Sequence, residues 1–386
     1  MIYLDANATT KPDPQVVEAI LPYLTDIYGN ASSGHQLGRK ARKGLEKARS
    51  QVADLMKVST EEIIFTSGAT ESINSVLSFV QREYPERPLL IISAVEHEAV
   101  LECASRWEND GGRVKRVAVD AYGRLDLEEL QDAIEPGKTA LISMIWANNE
   151  TGVITPLAEV VELAHEAGAL VHADAAQMVG RLPVDLSSMA VDYLSLSAHK
   201  FHGLKGTGAL FVSRRVPFRP WILGGGQERG WRSGTENVTG IVALGLAAEK
   251  AAQRFAVGSH ESVAHLRDGF EQKLAAEMPQ MMIHGQKASR LPNTSSICLP
   301  GVDAAGMVIL LDQKGIACSG GSACRSASLH PSHVLEAMGF SAEHASSTLR
   351  FSLSADTTEA ELMEAAEHII SSAGHLCQQR DSLVSF

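Results

Sequence analysis

One cysteine of the chain stands in a setting suited to nucleophilic chemistry. Cys324 lies in the segment GIACSGGSACRSASL, among small residues and outside any apolar stripe. Buried cysteines usually pack as small hydrophobic side chains, whereas a thiol among Gly, Ser and Ala residues can be exposed and can move. The neighbouring Arg325 would favour the thiolate form. The segment therefore predicts a nucleophilic cysteine on a mobile loop.

The same region contains four possible zinc ligands, Cys318, Cys324, His330 and His333. A structural zinc site more usually has tight CxxC pairs, and Cys318 follows the apolar residues GIA, where packing explains it. We therefore predict no metal site and keep zinc as a minor alternative. The five cysteines are odd in number and widely scattered, which does not indicate a disulfide framework.

Two opposite charges come at the ends of apolar runs that are predicted to be strands. Asp174 comes at the end of the apolar run in LVHADAAQ, and Lys200 is the last residue of DYLSLSAHK. Charges at the carboxyl ends of parallel strands share one crevice. There a carboxylate can keep a pyridine nitrogen protonated and a lysine amine can form a Schiff base with a cofactor aldehyde. A structural ion pair is the alternative, but Ser197 and His199 beside the lysine are suitable phosphate donors and favour the cofactor site.

A strand-to-helix turn supplies a candidate anion site. In IIFTSGATES, the N–H groups of Gly68, Ala69 and Thr70 are expected to face outward without partners at the start of a helix. The alternative is a helix start that its own Thr and Ser side chains satisfy. The segment alone does not decide between the two.

The elements that must position these groups follow a strand-helix alternation between about residues 60 and 215. It predicts a three-layer α/β domain with a mostly parallel sheet. The predicted strands are IIFT, LLIISA, ALISMIW, LVHADAA, DYLSLS and GALFV, and LAEVVELAHEAG is a predicted helix.

Length and composition predict two structural units in one subunit of 386 residues. We expect a large domain at 13–255 and a smaller α+β domain formed by 1–12 and 256–386. The net charge of −12 gives no broad attraction to nucleic acid or anionic membranes, and GRKARKGLEKARSQVADLM is a predicted solvated amphipathic helix. No leader or membrane-spanning run is visible, so a cytoplasmic protein without direct nucleic-acid binding is expected.

The motifs together resemble those of the cysteine desulfurases, a group within the class V aminotransferase family of pyridoxal-phosphate enzymes. SLSAHKFHGLKGTGALFV is similar to the lysine motif of that family. The further blocks, in chain order, are YLDANATTKPDP, YGNASSGHQLG, FTSGATES, EHEAV, NNETG, HADAAQ, GGGQERGWRSGTEN, SGGSACRSASL and STLRFSL. The resemblance covers nearly the whole chain and implies pyridoxal-enzyme fold type I.

The resemblance assigns roles to residues by motif. It implies that Lys200 forms the Schiff base, that Asp174 pairs with the pyridine nitrogen, and that His97 stacks on the ring and can move protons. Ala69, Thr70, Ser197 and His199 would bind the phosphate, and Gln177 would lie beside the ring hydroxyl. Thr235 would complete the phosphate site of a neighbouring subunit in a homodimer. Asn149, within the cofactor site, and Arg350 would hold the substrate carboxylate.

The resemblance also implies the reaction and its partners. L-cysteine would become L-alanine, and its sulfur would form a persulfide on Cys324 and pass to an acceptor protein. An iron–sulfur scaffold is one expected acceptor, and an enzyme of tRNA or DNA sulfur modification is the other, because LCQQRDSLVSF lacks the scaffold-docking tail. The alternatives are a selenocysteine lyase or small-substrate aminotransferase of the same family, and a non-catalytic sulfur carrier.

Overall fold

The computed structural model describes residues 1–320 and 332–384, with side chains described as far as residue 376. Its central sheet has seven strands within these residues, in the order β2-β8-β7-β6-β5-β3-β4. Their bounds are β2 Ile63–Thr66, β3 Leu89–Ser93, β4 Arg113–Val117, β5 Thr139–Ile145, β6 Leu170–Asp174, β7 Tyr193–Ser197 and β8 Gly208–Val212. The expected strands all form.

The sheet is parallel from β4 to β7, and β8 pairs antiparallel with both of its neighbours. The connection from β7 to β8 is too short for a crossover helix, which a parallel neighbour would need. The chain therefore turns back after a short 3-10 turn at Ala198–Lys200. This return fixes Lys200 at the carboxyl end of β7.

Sequence patterning missed β4 because its residues, RVKRV, are mostly charged. The strand lies at the edge of the sheet and is paired only with β3. Basic side chains on an edge strand discourage pairing with other chains, and they hide the strand from a hydrophobicity-based prediction.

Alternate residues of the central strands pack on opposite faces of the sheet. Ile63 and Ile91 belong to one hydrophobic cluster, and their neighbours Ile64 and Leu90 belong to another. Helices cover both faces, as parallel sheets require. They are α1 Pro14–Thr25, α2 Gln36–Met56, α3 Ala69–Glu83, α4 Glu98–Asn109, α5 Leu127–Ala133, α6 Leu157–Glu166 and α7 Val238–Ala256. The predicted three-layer arrangement is confirmed.

Most of the remaining elements surround a third hydrophobic cluster and a four-stranded antiparallel sheet in the described part of the chain, whereas α10 and α11 pack in a separate cluster with Val95, Val119 and Ile145. In chain order they are α8 Ser259–Glu277, β9 Met282–Ile283, β10 Thr294–Cys298, α9 Ala304–Gln313, β11 Ile316–Ala317, β12 Ser319–Gly320, α10 His333–Ala337, α11 Ala342–Ser346, β13 Thr348–Ser352 and α12 Glu359–Val384. The N-terminal strand β1, Ile2–Tyr3, pairs in parallel with β11. Because of this pairing, the residues after β1 pass close to the carboxyl ends of the large sheet.

Among the described helices, none combines the length and the apolar character that crossing a membrane would require.

Candidate active site

A cavity of about 300 Å³ lies where the carboxyl ends of the central strands meet the N-terminal segment. Ten of the twelve residues singled out from the sequence line it: Ala69, Thr70, His97, Asn149, Asp174, Gln177, Ser197, His199, Lys200 and Arg350. These residues come from separate parts of the chain, so their meeting is a property of the fold. The cavity has the size of a small-ligand site.

Lys200 presents its amine to this cavity from the turn after β7. Its Nζ donates to the backbone carbonyl oxygens of Asn7 at 2.7 Å and Ala8 at 3.1 Å. Both acceptors are uncharged, so these contacts do not neutralise the ammonium group. They fix the amine at the cavity wall, where it can meet an electrophile.

Asp174 ends β6 and is 3% exposed. Burial raises the pKa of its carboxyl group, while the nearby His97 and Lys200 and a hydrogen bond from the Ala176 N–H act in the opposite direction. A cation in the cavity would favour the ionised carboxylate. Asp174 is therefore suited to hold a protonated ring nitrogen.

The start of α3 differs from the expected row of unpaired amides. The Ala69 N–H donates to the Ser197 hydroxyl at 2.8 Å, and the Gly68 N–H donates to the Thr66 hydroxyl at 3.4 Å. The prediction that these two amides lack partners is wrong, because neighbouring hydroxyl groups reach them. The Ser197 hydroxyl is the acceptor in this contact, so its own O–H can donate a hydrogen bond to an anion.

Two histidines at the cavity have defined hydrogen bonds. His97 caps α4, and its Nδ1 accepts from the Ala99 N–H at 3.1 Å. In the neutral ring, the proton must then be on Nε2. His199 Nδ1 pairs with the Thr9 hydroxyl at 3.2 Å, and burial together with the Lys200 charge lowers the pKa of His199 to about 4. His199 is thus a neutral hydrogen-bonding group at neutral pH.

Arg350 lies on β13 and exposes 1% of its surface. Its guanidinium donates to the Asn149 carbonyl oxygen at 3.1 Å and to Asp5 Oδ1 at 2.8 Å. No described residue accepts from its Nε. The charge is therefore buried at the cavity, which excludes the surface ion pair that was the alternative for this residue.

Sequence patterning missed Asn7, which connects several parts of the site. Its carbonyl oxygen accepts from Gln177 Nε2 at 3.0 Å as well as from Lys200. Its side chain donates to the Asn149 carbonyl oxygen at 3.0 Å and to the Thr294 hydroxyl at 2.9 Å. The only sequence signal was a polar residue within LDANATT, a segment without helical or strand periodicity.

Glu96 is a second residue that the sequence did not single out. It is wholly buried, and its Oε1 accepts from the Ser93 hydroxyl at 2.7 Å and from the Ile145 N–H at 2.8 Å. No described residue makes a hydrogen bond to its Oε2. Burial, with the negative charge of Asp174 nearby, raises the pKa of Glu96 to about 8. The carboxyl group is thus held largely protonated one residue before His97.

Two predicted residues are not among the described residues that line the cavity. Thr235 is exposed in the segment that precedes α7. Cys324, the predicted nucleophile, lies outside the described residues, and so does its neighbour Arg325. His330, a ligand in the zinc alternative, also lies outside them. His333 is described, and its Nε2 pairs with the Glu96 carbonyl oxygen at 2.9 Å.

The described residues on either side of the segment that carries Cys324 lie beside the lining of the cavity. Before it, Ser319 of β12 pairs with Arg350 of β13. After it, the Ser332 hydroxyl donates to Glu150 Oε2 at 2.5 Å, next to Asn149. Residues 321–331 therefore leave and rejoin the described structure beside residues of the candidate site.

The three cysteines with described side chains are poor nucleophiles. Burial raises the pKa of Cys103 and of Cys298 to about 11 and that of Cys318 to about 12. Cys318 packs in the hydrophobic cluster of the smaller sheet, as its apolar context predicted. A thiolate at neutral pH must therefore come from Cys324 or Cys377.

Comparisons with known proteins place the chain in one family. Residues 2–364 match the aminotransferase class-V family. A cysteine desulfurase of Sinorhizobium fredii is 47% identical over 363 residues, which are 94% of this chain and 93% of that protein. A solved structure of a NifS-like protein superposes with a TM-score of 0.90 at 38% identity, covering 97% of this chain and 99% of that one. A structure of SspA in complex with cysteine gives 0.81 at 32% identity, covering 93% and 100%.

Proposed function

The chain belongs to the class-V aminotransferase family, and we propose that it acts there as a cysteine desulfurase. In this proposal it converts free L-cysteine to L-alanine and keeps the sulfur as a persulfide on Cys324. The observation that carries the proposal is where the described residues on either side of the Cys324 segment lie. Ser319 pairs with Arg350 and Ser332 contacts Glu150, while Arg350 and Asn149 line the cavity that contains Lys200 and Asp174.

Pyridoxal 5′-phosphate is the cofactor of this family, and the residues present fit it. Lys200 would hold it covalently, Asp174 would pair with its ring nitrogen, and the Ala69–Ser197 pair would bind its phosphate with Thr70 and His199. Gln177 Oε1 is buried at the cavity and lacks a protein partner among the described residues, which suits a polar group of the ring. When bound, the ring withdraws electrons from the alpha carbon of the substrate.

The side chains around the cavity would bind the amino acid and move its protons. Arg350 retains guanidinium donors beyond its contacts to Asn149 and Asp5, and a planar guanidinium matches a carboxylate. The Lys200 amine would carry a proton to or from the alpha carbon once the substrate amine has taken its place. His97 Nε2 is the second atom able to move a proton, because Nδ1 is engaged with Ala99.

The sulfur step would be a nucleophilic displacement at the substrate sulfur. The Cys324 thiolate forms the new sulfur–sulfur bond, the carbon–sulfur bond of the substrate breaks, and its electron pair stays with carbon, which takes up a proton. In sum, L-cysteine and the Cys324 thiol give L-alanine and the Cys324 persulfide. No external oxidant or reductant is needed for this step.

Chain length allows Cys324 to reach the substrate. Cys324 is four residues beyond Gly320, so the chain between them spans at most ~14 Å at 3.3–3.6 Å per residue. Gly320 itself belongs to β12, beside the strand of Arg350. In this proposal the Cys324 thiol would meet the sulfur of a substrate held by Arg350 within that span.

We extend the proposal to the partners expected from the sequence. Thr235 would serve the phosphate site of the partner subunit in a homodimer, since it is exposed and does not line the cavity of its own subunit. The persulfide would pass to an acceptor protein, either an iron–sulfur scaffold or an enzyme of nucleic-acid sulfur modification. The cytoplasm is the location we propose.

A cysteine-by-cysteine substitution tests the function. Cys324→Ala should keep the visible absorbance of bound cofactor and lose alanine formation from cysteine, whereas Lys200→Ala should lose that absorbance. Cys103→Ala and Cys377→Ala are matched controls that should retain activity. Normal alanine formation by Cys324→Ala would refute the proposal and favour a selenocysteine lyase or aminotransferase activity at the same site.

A further inference from the structure

We propose that Arg181 and Arg254 form a binding site for one small inorganic anion, with chloride as the representative ligand. The site is a second cavity of about 50 Å³, which shares only Lys200 with the reaction cavity. It lies where the end of α7 and the start of α8 approach the turn after β7. The proposal does not depend on the desulfurase function.

The charges around this cavity are strongly unbalanced. Its lining includes the basic side chains of Arg181, Lys200, His202, Arg254 and His260 and no carboxylate of the described residues. Beyond the lining, Asp13 Oδ2 is 3.9 Å from an Arg254 Nη atom. Asp356 acts only at longer range, on Arg254 and His202. Asp13 therefore offsets part of the Arg254 charge and the Lys200 amine faces the reaction cavity, whereas the Arg181 guanidinium makes no ion pair with a described carboxylate.

Three buried nitrogen atoms of the lining lack partners among the described residues. They are Arg181 Nε, Arg254 Nη2 and His260 Nδ1. The two guanidinium atoms can only donate hydrogen bonds, so an acceptor must complete them. Unsatisfied buried donors of this kind are rare in folded proteins and indicate a bound acceptor.

Arg181 is the residue that makes the site specific for an anion. It is 9% exposed, and its described hydrogen bond is one from Nη2 to the Ala6 carbonyl oxygen at 3.0 Å. Burial, together with the like charge of Arg350, lowers the pKa of Arg181 to about 9. A buried cation without a counterion is costly, and an anion would relieve that cost.

The cavity volume limits the ligand to a small ion. One water molecule needs roughly 10–15 Å³ measured in this way, so about 50 Å³ holds a few waters or a single small anion. A nucleotide or a second cofactor is too large. The anion would link Arg254 near the end of α7 and His260 at the start of α8 to the segment of Arg181.

Diffraction from crystals of the cofactor-loaded enzyme soaked in sodium bromide tests the site. The expected result is an anomalous bromide peak within hydrogen-bonding distance of both Arg181 and Arg254. Bromide at the cofactor phosphate site would be distinguishable by position. Water alone in the cavity, without anomalous signal, would overturn the proposal.

Thermal unfolding in solution provides a second, independent readout. Potassium chloride should raise the Tm of the holoenzyme above its value in potassium gluconate of equal ionic strength, by on the order of 2 °C. Arg254→Met should remove this chloride-specific increase, and Arg214→Met, at an exposed ion pair with Glu61, should keep it. An equal chloride effect in both variants would contradict the site. If Arg254→Met does not fold, the bromide experiment on the unmodified chain still decides.

Discussion

At the scale of single residues, burial sets the chemistry of the site. Removal from water disfavours the charged form of each group, so burial raises the pKa of Asp174 and of Glu96 and lowers that of His199. A neutral His199 can accept or donate hydrogen bonds without placing a second positive charge beside Lys200. A protonated Glu96 leaves Asp174 as the carboxylate available to a cationic ring.

Glu96 gives a stability prediction that depends on pH. Its pKa is about 8 in the folded chain and near its ordinary value of 4.5 in the unfolded chain. Between these values the folded state binds one more proton than the unfolded state, so the Glu96 contribution to stability falls as pH rises. The slope approaches about 1.4 kcal/mol per pH unit within this window.

The variant Glu96→Gln removes that titration and keeps an oxygen acceptor for Ser93 and Ile145. We expect the free energy of unfolding of Glu96→Gln, relative to the unmodified chain, to increase steadily from pH 5 to pH 8. Chemical denaturation at several pH values measures the difference. A difference that stays constant with pH would show that Glu96 is ionised in the folded protein throughout the range.

Sequence reasoning was most successful for residues whose motif fixes their place at a strand or helix end. Lys200 and Asp174 were assigned in this way, and the structure brings both to one cavity. Asn7 was missed because its importance comes from contacts with residues far along the chain, such as Thr294. The partner of the Ala69 amide was missed for the same reason, since Ser197 reaches Ala69 from another strand.

At the scale of elements, the start of α10 anchors the returning end of the Cys324 segment. Ser332 caps α10 through the Leu335 N–H at 3.2 Å and also donates to the buried Glu150. His333 adds the contact to the Glu96 carbonyl oxygen. Two adjacent residues of α10 thus connect this helix to the loops of Asn149 and His97.

We predict that Ser332→Ala slows persulfide formation without loss of cofactor. Losing the contact to Glu150 and the helix cap removes about 1 kcal/mol of anchoring. Because a tenfold slower step requires a barrier higher by about 1.4 kcal/mol, we expect the rate to fall by less than tenfold. The measurement is the single-turnover rate of persulfide formation at saturating cysteine.

Ser341→Ala is the matched control for this prediction, because Ser341 caps the neighbouring α11 through the His344 N–H at 3.2 Å and makes no described contact to Glu150. It should retain the normal rate. Equal rates in the two variants would mean that the Ser332–Glu150 contact does not position the segment.

The elements were predictable to the extent that their own residues carry a pattern. β2, β3 and β5 to β8 are apolar runs buried within the sheet. The edge strand β4 was not predictable from hydrophobicity because its exposed side chains are basic. The last helix extends to Val384 through QQRDSL, a stretch without an apolar stripe.

At the scale of the whole molecule, the proposed dimer makes a prediction about Thr235. Mixed dimers can be prepared from two differently tagged chains. A dimer of the unmodified chain with Lys200→Ala should keep one working site. Adding Thr235→Ala to the Lys200→Ala chain should weaken cofactor binding at that remaining site by roughly tenfold, the cost of one hydrogen bond to a charged group.

The control is the mixed dimer in which Thr235→Ala is in the same chain as the intact Lys200. It should bind cofactor normally, because the partner supplies the unmodified Thr235. If instead this control is the weakened dimer, Thr235 serves its own subunit. Light scattering should first give a mass of twice the 41.3 kDa chain, and a monomer would refute the shared site.

The arrangement of the large sheet and the smaller unit could be predicted in outline, because strand-helix alternation and its change beyond about residue 255 are visible in the sequence. The route of the N-terminal segment could not. β1 is two residues long, and its pairing with β11 together with contacts of Asn7 to Thr294 and Ser352 holds Asn7 at the site. The domain boundaries at 13–255, and at 1–12 with 256–386, remain a prediction.

Mass spectrometry of the purified holoenzyme after brief incubation with one equivalent of cysteine, without reductant, addresses the sulfur transfer itself. We expect one added sulfur atom on the peptide that contains Cys324, together with one equivalent of alanine per site. Alanine without added sulfur on that peptide, or added sulfur on Cys103, Cys298, Cys318 or Cys377, would contradict the assignment of Cys324 as the nucleophile.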